Sequence, residues 1–232
     1  MAKAAHEFGT ELNQVQTKQF TRYYEMLLEW NQKMNLTTLV APEDVAVKHI
    51  IDSLSCYDEK FFPADAAVVD VGTGAGFPGL PLKIWRPNIS LFLLDSVAKR
   101  LNFLVAAARE MDLEIKILHG RAEDAGQDES YREKFDVAVS RAVARLPVLA
   151  EYALPLVKTG GYFLAMKGAK YEEELDMGRA AIKKLGGGKP AARQIKLPGL
   201  SDVRAIIIVE KLKPTPPHFP RQPGIPAKKP IV

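Results

Sequence analysis

Val68-Val69-Asp70-Val71-Gly72-Thr73-Gly74-Ala75-Gly76-Phe77-Pro78-Gly79 is a β-branched run that ends in an acid and then breaks into glycines at alternate positions. An apolar, helix-compatible segment, Leu80 to Trp85, follows it. Strand, glycine turn and helix in that order build the first ligand-binding edge of a doubly wound α/β sheet. Glycines let the chain turn sharply and bring its N–H groups against a ligand with no Cβ in the way. Pro78 suits the first helical turn, where its missing N–H costs nothing.

Two ligands compete for this turn. Gly74-Ala75-Gly76-Phe77-Pro78-Gly79 satisfies the dinucleotide pattern G-x-G-x-x-G, but the strand should end at the first glycine, and Gly72 and Thr73 come earlier. Read from the strand end, Asp70-x-Gly72-x-Gly74-x-Gly76 looks like the first motif of class I methyltransferases. In that class the acid faces the amino group of S-adenosylmethionine and the glycine turn packs on its methionine part. Asp70 and a proline in the first helical turn would both weaken a pyrophosphate site. A purely structural glycine turn is the plain alternative.

The 232 residues suit one substantial α/β domain with an extension, and 47% apolar content supports a sizeable core. A single cysteine, Cys56, excludes an intrachain disulfide framework and fits a reducing compartment. No apolar run approaches a membrane span, and Met1 to Gln19 has no signal-peptide core, so a soluble cytoplasmic protein is expected. Net charge is +4, unevenly spread: Gly178 to Val232 holds twelve Lys/Arg against two acids, which leaves −6 for the first 177 residues. A basic C-terminal quarter on an acidic body points to a polyanion, with nucleic acid foremost. A merely solubilising basic surface is the alternative.

Thr10 to Met34 carries Leu12, Val15, Phe20, Tyr24, Leu27 and Leu28 at helical spacing and predicts an amphipathic helix on the main domain. Pro42, Glu43 and Asp44 start a second helix bearing His49 and Asp52, one turn apart. With four histidines and one cysteine in the chain, that pair reads as a polar contact or pocket rim, and no metal site is expected. Ser90 to Asp95 is a second buried strand. Its terminal Asp95 stands about 20 residues past the turn, where an acid accepts hydrogen bonds from ribose hydroxyls. An aspartate that only ends the strand or caps the next helix is the plain alternative. Further strands are expected at Glu114 to Leu118, Lys134 to Val139, Gly161 to Met166, Arg193 to Leu197 and Arg204 to Lys211. Helices are expected at Lys99 to Leu113, Leu146 to Val157 and Tyr171 to Leu185. The tail past Lys211 holds seven prolines and no acid, and reads as extended rather than packed. The expected division is a helical extension at 1–62, the catalytic domain at 63–212 and a proline-rich basic tail at 213–232.

The loop after the fourth strand, Ser140-Arg141-Ala142-Val143-Ala144, holds neither an Asn-Pro-Pro-Tyr motif nor a Pro-Cys nucleophile. Exocyclic amine methylation and attack through a pyrimidine C5 are both disfavoured. What stands there is a cation, Arg141.

Several motifs together resemble the small-subunit ribosomal RNA methyltransferase G family, also called glucose-inhibited division protein B. They are Trp30-Asn31 with Asn35-Leu36-Thr37, Lys48-His49-Ile50-Ile51-Asp52-Ser53, the stretch from Asp70 to Gly79, and Leu94-Asp95-Ser96 with Lys99-Arg100. Arg121-Ala122-Glu123, Ser140-Arg141-Ala142, Lys167-Gly168 and the tail from Phe219 to Pro230 continue the series, with Phe219 where the family commonly has Tyr. The resemblance implies a class I, Rossmann-like α/β sheet with helices on both faces and an N-terminal helical extension. It implies methyl transfer from S-adenosylmethionine to N7 of a guanine in 16S rRNA of the small ribosomal subunit. By motif the cofactor contacts are Gly72, Phe77, Ala122, Glu123 and Arg141. Asp70, Gly74, Gly76 and Asp95 join them on the class I pattern, and Lys167, Arg221 and Lys228 are candidates to face RNA. Guanine N7 offers its lone pair without deprotonation, so no dedicated base is required, and Arg141 suits the cofactor carboxylate or an RNA phosphate. A monomer is expected. An NAD-dependent oxidoreductase, a non-catalytic ribosome-binding module and a small-molecule methyltransferase are the competing functions. The first lacks a Tyr-x-x-x-Lys pair here.

Overall fold

A computed structural model describes residues 2–232. Seven strands, β1 (Ala67–Val71), β2 (Ser90–Asp95), β3 (Lys116–His119), β4 (Phe135–Arg141), β5 (Val157–Lys167), β6 (Ala191–Ile195) and β7 (Arg204–Glu210), form one sheet. Their order is β3-β2-β1-β4-β5-β7-β6. β1 to β5 pair in parallel, whereas β7 runs antiparallel to both β5 and β6. The chain winds outward from β1 to β3 and then returns to β4 beside β1. The carboxyl ends of β1 and β4 therefore flank the switch point where open α/β sheets bind ligands.

Both faces of the sheet are covered, because β1 buries alternate residues on opposite sides. Val68 joins one core with Phe20, Tyr23 and Leu27 of the helix Gln14–Asn31, and with Leu80 and Leu104. Val69 and Val71 join the other, with Leu149, Ala150 and Ile182. The period of two puts Asp70 on the Val68 face, under the helix Gly79–Trp85 that the glycine turn leads into. Pro78 sits just before that helix, at its N-cap.

The N-terminal extension packs with a rotated stripe. Phe20, Tyr23, Met26 and Leu27 are buried, and Val15, expected inward, is 63% exposed. Asn13 and Gln16 close the start of this helix with a reciprocal capping box. The next helical stretch, residues 42–54, is π-helical over Val45–Ile51 before Asp52. Such wide turns inside helices recur at functional sites.

The tail departs from expectation, because it packs. Phe219 and Ile231 belong to the second core, and Thr215 and Pro226 are also buried. Four further residues explain why a proline-rich, acid-free segment folds down: Glu123, Glu133, Glu151 and Arg132 on the body supply the partners that its own sequence lacks. The basic quarter is accordingly less free than its count suggests. Lys211 is fully buried, with Nζ bonded to Leu154 O, Val157 O and Thr215 Oγ1 and 3.2 Å from Glu133, and Arg193 pairs with Asp58 at 2.7 Å.

Tyr23 joins the extension to the glycine turn: its buried hydroxyl donates to Ala75 O, and its ring lies 5.4 Å from that of Phe77. Tyr23→Phe leaves the buried Ala75 carbonyl unpaired. The variant should lose about 1–2 kcal/mol of unfolding free energy, read as a lower denaturant midpoint at unchanged slope.

Candidate active site

The glycine turn is held from three sides. Beneath it, Asp70 Oδ2 accepts the hydroxyl of Thr73 at 2.7 Å and the N–H of Gly79 at 2.8 Å. Beside it, Asp95 Oδ2 accepts the N–H of Gly74 at 3.0 Å, while Oδ1 accepts that of Val97 at 2.8 Å. Tyr23 holds Ala75 from behind. Gly72 (φ 70°) and Gly76 (φ 101°) sit in the left-handed region with no room for a side chain. A Cβ on Gly72 would lie 2.5 Å from Val143 Cγ2, and one on Gly76 would lie 2.7 Å from Leu104 and 2.8 Å from the Tyr23 hydroxyl.

Asp70 is fully buried and stands outside the cleft that opens above the turn. Burial pushes its carboxyl up to about 6, against the lowering effect of the Thr73 and Gly79 hydrogen bonds. Its Oδ1 has no partner and no access to solvent. The expectation that Asp70 faces a ligand amino group is therefore corrected: this carboxylate props the turn. Gly76 likewise faces the N-terminal extension.

The cleft itself, about 260 Å³, is lined by Gly72, Asp95, Arg121, Ala122, Glu123 and Tyr152 among others. Asp95 and Glu123 are 5% and 4% exposed, so two nearly buried carboxylates line this cleft. Glu123 Oε1 accepts the N–H of Gly224 from the tail at 2.9 Å. Each carboxylate oxygen of Asp95 uses one backbone donor, which leaves further lone pairs for a pair of hydroxyls. That donor–acceptor set fits a nucleoside.

A second cleft of about 350 Å³ lies over β4, β5 and β7, lined by Asp52, Arg141, Lys167, Glu174 and Arg204. Ala142 and Val143 line both clefts and form the wall between them. Ala142 has φ 57°, an uncommon conformation for a residue with a Cβ. Strain of this kind concentrates at ligand sites.

Arg141, which precedes this wall, is held at both terminal nitrogens. Nη1 donates to Asp52 Oδ2 at 2.9 Å and to Lys48 O at 3.1 Å, and Nη2 donates to His49 Nδ1 at 3.1 Å. Its guanidinium also sits 4.9 Å from the centre of the Phe77 ring, on which His49 stacks at 4.6 Å. Because arginine only donates, His49 Nδ1 is the acceptor, and its Nε2–H donates to Thr37 Oγ1 at 2.8 Å. Burial, and secondarily Arg141, lower the imidazole pKa to about 4.

The candidate residues divide accordingly. Gly72, Asp95, Ala122 and Glu123 meet in the first cleft, and Arg141 borders the second. Phe77 lies behind Arg141 and Gly74 is tied to Asp95. Two of the RNA-facing candidates are held in ion pairs, Lys167 at the edge of the second cleft. Lys167 Nζ, 7% exposed, bonds Glu174 Oε2 and Ala144 O at 2.7 Å each, and Arg221 Nη2 bonds Glu151 Oε2 at 2.6 Å. Lys228 is exposed. Sequence reasoning missed Tyr152, Val143 and Arg204 as lining residues, and missed that Asp52 and His49 act through Arg141. The motif around His49 was visible, but nothing in local spacing joins it to a residue 92 positions away.

Residues 16–197 match the sequence family described as rRNA small subunit methyltransferase G. A ribosomal RNA small subunit methyltransferase G of Alkaliphilus metalliredigens is 47% identical over 97% of this chain and 95% of its own. The protein of the same name from Desulforamulus reducens is 47% identical over 100% and 97%. Among solved structures, TYW2 of M. jannaschii in complex with AdoMet superposes with a TM-score of 0.54. It is 14% identical, covering 71% of this chain and 76% of that one, a likeness of fold.

Below pH 6.5 the unfolded chain protonates His49 while the folded protein resists until about 4. Stability should therefore rise with pH across that window and be lost on acidification, with a slope of up to about 1.4 kcal/mol per pH unit from this group. Chemical denaturation at pH 4 to 7 should show His49→Gln with a flatter profile than the parent.

Proposed function

The chain belongs to the rRNA small subunit methyltransferase G family, and on that premise we propose that it methylates N7 of one unpaired guanine in 16S rRNA, using S-adenosylmethionine. The observation that carries the reading is the shared Ala142–Val143 wall, with a nucleoside-type cleft on one side and a second polar cleft on the other. Family membership supports the reaction class, and nothing in the site or the comparisons favours a dinucleotide oxidoreductase or a non-catalytic module.

In this reading Asp95 takes the ribose hydroxyls, Ala122 and Glu123 border the adenine, and Gly72 lies along the methionine part. When bound, S-adenosylmethionine supplies an electrophilic methyl group on a sulfonium. The chain's own residues hold the nucleophile and exclude water, an effect that can supply roughly 7–11 kcal/mol of a barrier. Guanine N7 needs no base, which agrees with a second cleft whose side chains are ion-paired rather than poised to take a proton. Methylation leaves the guanine cationic, and Asp52 and Glu174 offset the cations that already line the second cleft, Arg141 and Lys167. Arg141 hinders little, because Asp52 neutralises it at 2.9 Å. Its role is to hold the Ala142–Val143 wall and Phe77 in register.

An N7 within a stacked A-form helix lies in a narrow major groove, so the substrate guanine is unpaired or flipped. No helix among the described residues is long and apolar enough to cross a membrane. We place the protein in the cytoplasm as a monomer, with 1–62 as an extension of the 63–212 catalytic domain and 213–232 as a tail. Of the three RNA-facing candidates, Lys228 keeps that role.

Labelled methyl transfer to small ribosomal subunits from cells lacking the enzyme should give a single 7-methylguanine on mapping. Label on an exocyclic amine, or none despite cofactor binding, would overturn the proposal. Arg141→Ala should lower kcat/KM by about 10²-fold through misplacement of the wall, and an unchanged value would remove Arg141 from the account. Lys228→Ala should reduce the slope of log affinity for RNA against log salt by about 1.

A further inference from the structure

The tail segment from Thr215 to Pro226 crosses the two helices that form the far wall of the first cleft, Ala122–Gln127 and Leu146–Ala153. Arg132 donates to Thr215 O and Phe219 O at 2.7 Å each, and also to Gly126 O at 2.7 Å. Gln127 Nε2 donates to Pro220 O at 2.7 Å. Arg221 then makes three bonds to one carboxylate: its N–H and Nε to Glu151 Oε1 at 2.9 and 2.8 Å, and Nη2 to Oε2 at 2.6 Å. The Glu151 side chain is 1% exposed. Three residues on, the Gly224 N–H reaches Glu123 Oε1 at 2.9 Å.

The approach is close. A Cβ on Gly126 would lie 2.8 Å from Pro220 Cγ, so glycine is what admits the tail here. Glu123 and Tyr152 line the first cleft, whereas Glu151, Gly224 and Arg221 do not. Tyr152 is the helical neighbour of Glu151, and its hydroxyl pKa is raised by burial and by Glu123. The fastening at Glu151 thus adjoins both cleft-facing side chains, reaching Glu123 through the Gly224 N–H and lying next to Tyr152 along the helix.

We propose that residues 215–226 form a strap that positions the cofactor cleft: Arg221 fastens it to Glu151 so that the Gly224 N–H holds the Glu123 carboxylate in place. Affinity for S-adenosylmethionine then depends on tail residues that never touch it. Arg221, an RNA-facing candidate by sequence, becomes a positioning residue. The proposal rests on the reading of the first cleft as the S-adenosylmethionine site.

The test is direct binding of S-adenosylmethionine by calorimetry, with methyl-transfer kinetics and thermal unfolding, on the full chain. Arg221→Ala should weaken binding about tenfold, within the usual range of site-to-site coupling. The KM for S-adenosylmethionine should rise with it, while kcat at saturation stays near the parent value. Arg221→Lys should recover only part, because an ammonium lacks the bidentate fork. In a Glu123→Ala background, Arg221→Ala should add little, since the two act through one contact. A strap that only stabilises the fold gives the opposite pattern: a lower Tm, affinity within twofold of the parent and additive losses. That result overturns the proposal. Should Arg221→Ala fail to fold, Arg221→Lys and Gln127→Ala carry the same comparison. If the parent itself does not bind S-adenosylmethionine, the cofactor reading fails together with the strap; binding by the parent with unaffected variants overturns the strap alone.

Discussion

Asp70 Oδ2 holds the Thr73 hydroxyl and the Gly79 N–H at once, and the ligand edge of the sheet depends on that contact. It joins the start of the glycine turn to the start of the helix that leaves it. Hydrogen bonds to a charged acceptor contribute about 1.5–3 kcal/mol each, enough to fix three glycines that have no side chains of their own to pack. Asp95 ties the middle of the turn at Gly74, and Tyr23 ties Ala75 to the N-terminal extension. With the turn fixed, Gly72 packs against Val143 in the wall between the two clefts, with no room for a Cβ between them.

That wall is where the fold becomes chemistry. Arg141 is locked by Asp52, His49 and Lys48 O, so the residues following β4 enter the loop from a fixed point, and Ala142 takes a left-handed conformation. The acid at the end of β2 faces one cleft. The acids of the extension and of the helix Tyr171–Lys184 face the other. A reaction that needs alignment rather than proton transfer suits this arrangement, since its polar side chains are held in ion pairs.

The strand–turn–helix at residue 68, the strand ending in Asp95 and the last two strands were legible because each is written in local periodicity and glycine spacing. The place of Asp70 beneath the turn was not legible from the motif, which names a residue without saying which side of the strand it takes. The alternation with Val68 carried that information and points Asp70 into the core. The basic candidates were hard to read for a different reason. Arg221 and Lys167 look free in sequence, and their carboxylate partners, Glu151 and Glu174, come from helices that only the fold brings near. The His49–Asp52 pair was visible on its own helix, but its purpose, the orientation of Arg141, is a contact between distant segments that no spacing encodes.

The measurement closest to the central claim is amide hydrogen exchange with and without S-adenosylmethionine. If the cleft over β1 and β2 is the cofactor site, exchange should slow at 72–74, 95–100 and 120–124, with little change at 204–206. Protection confined to 167–168 and 204–206, in the second cleft, would contradict the account.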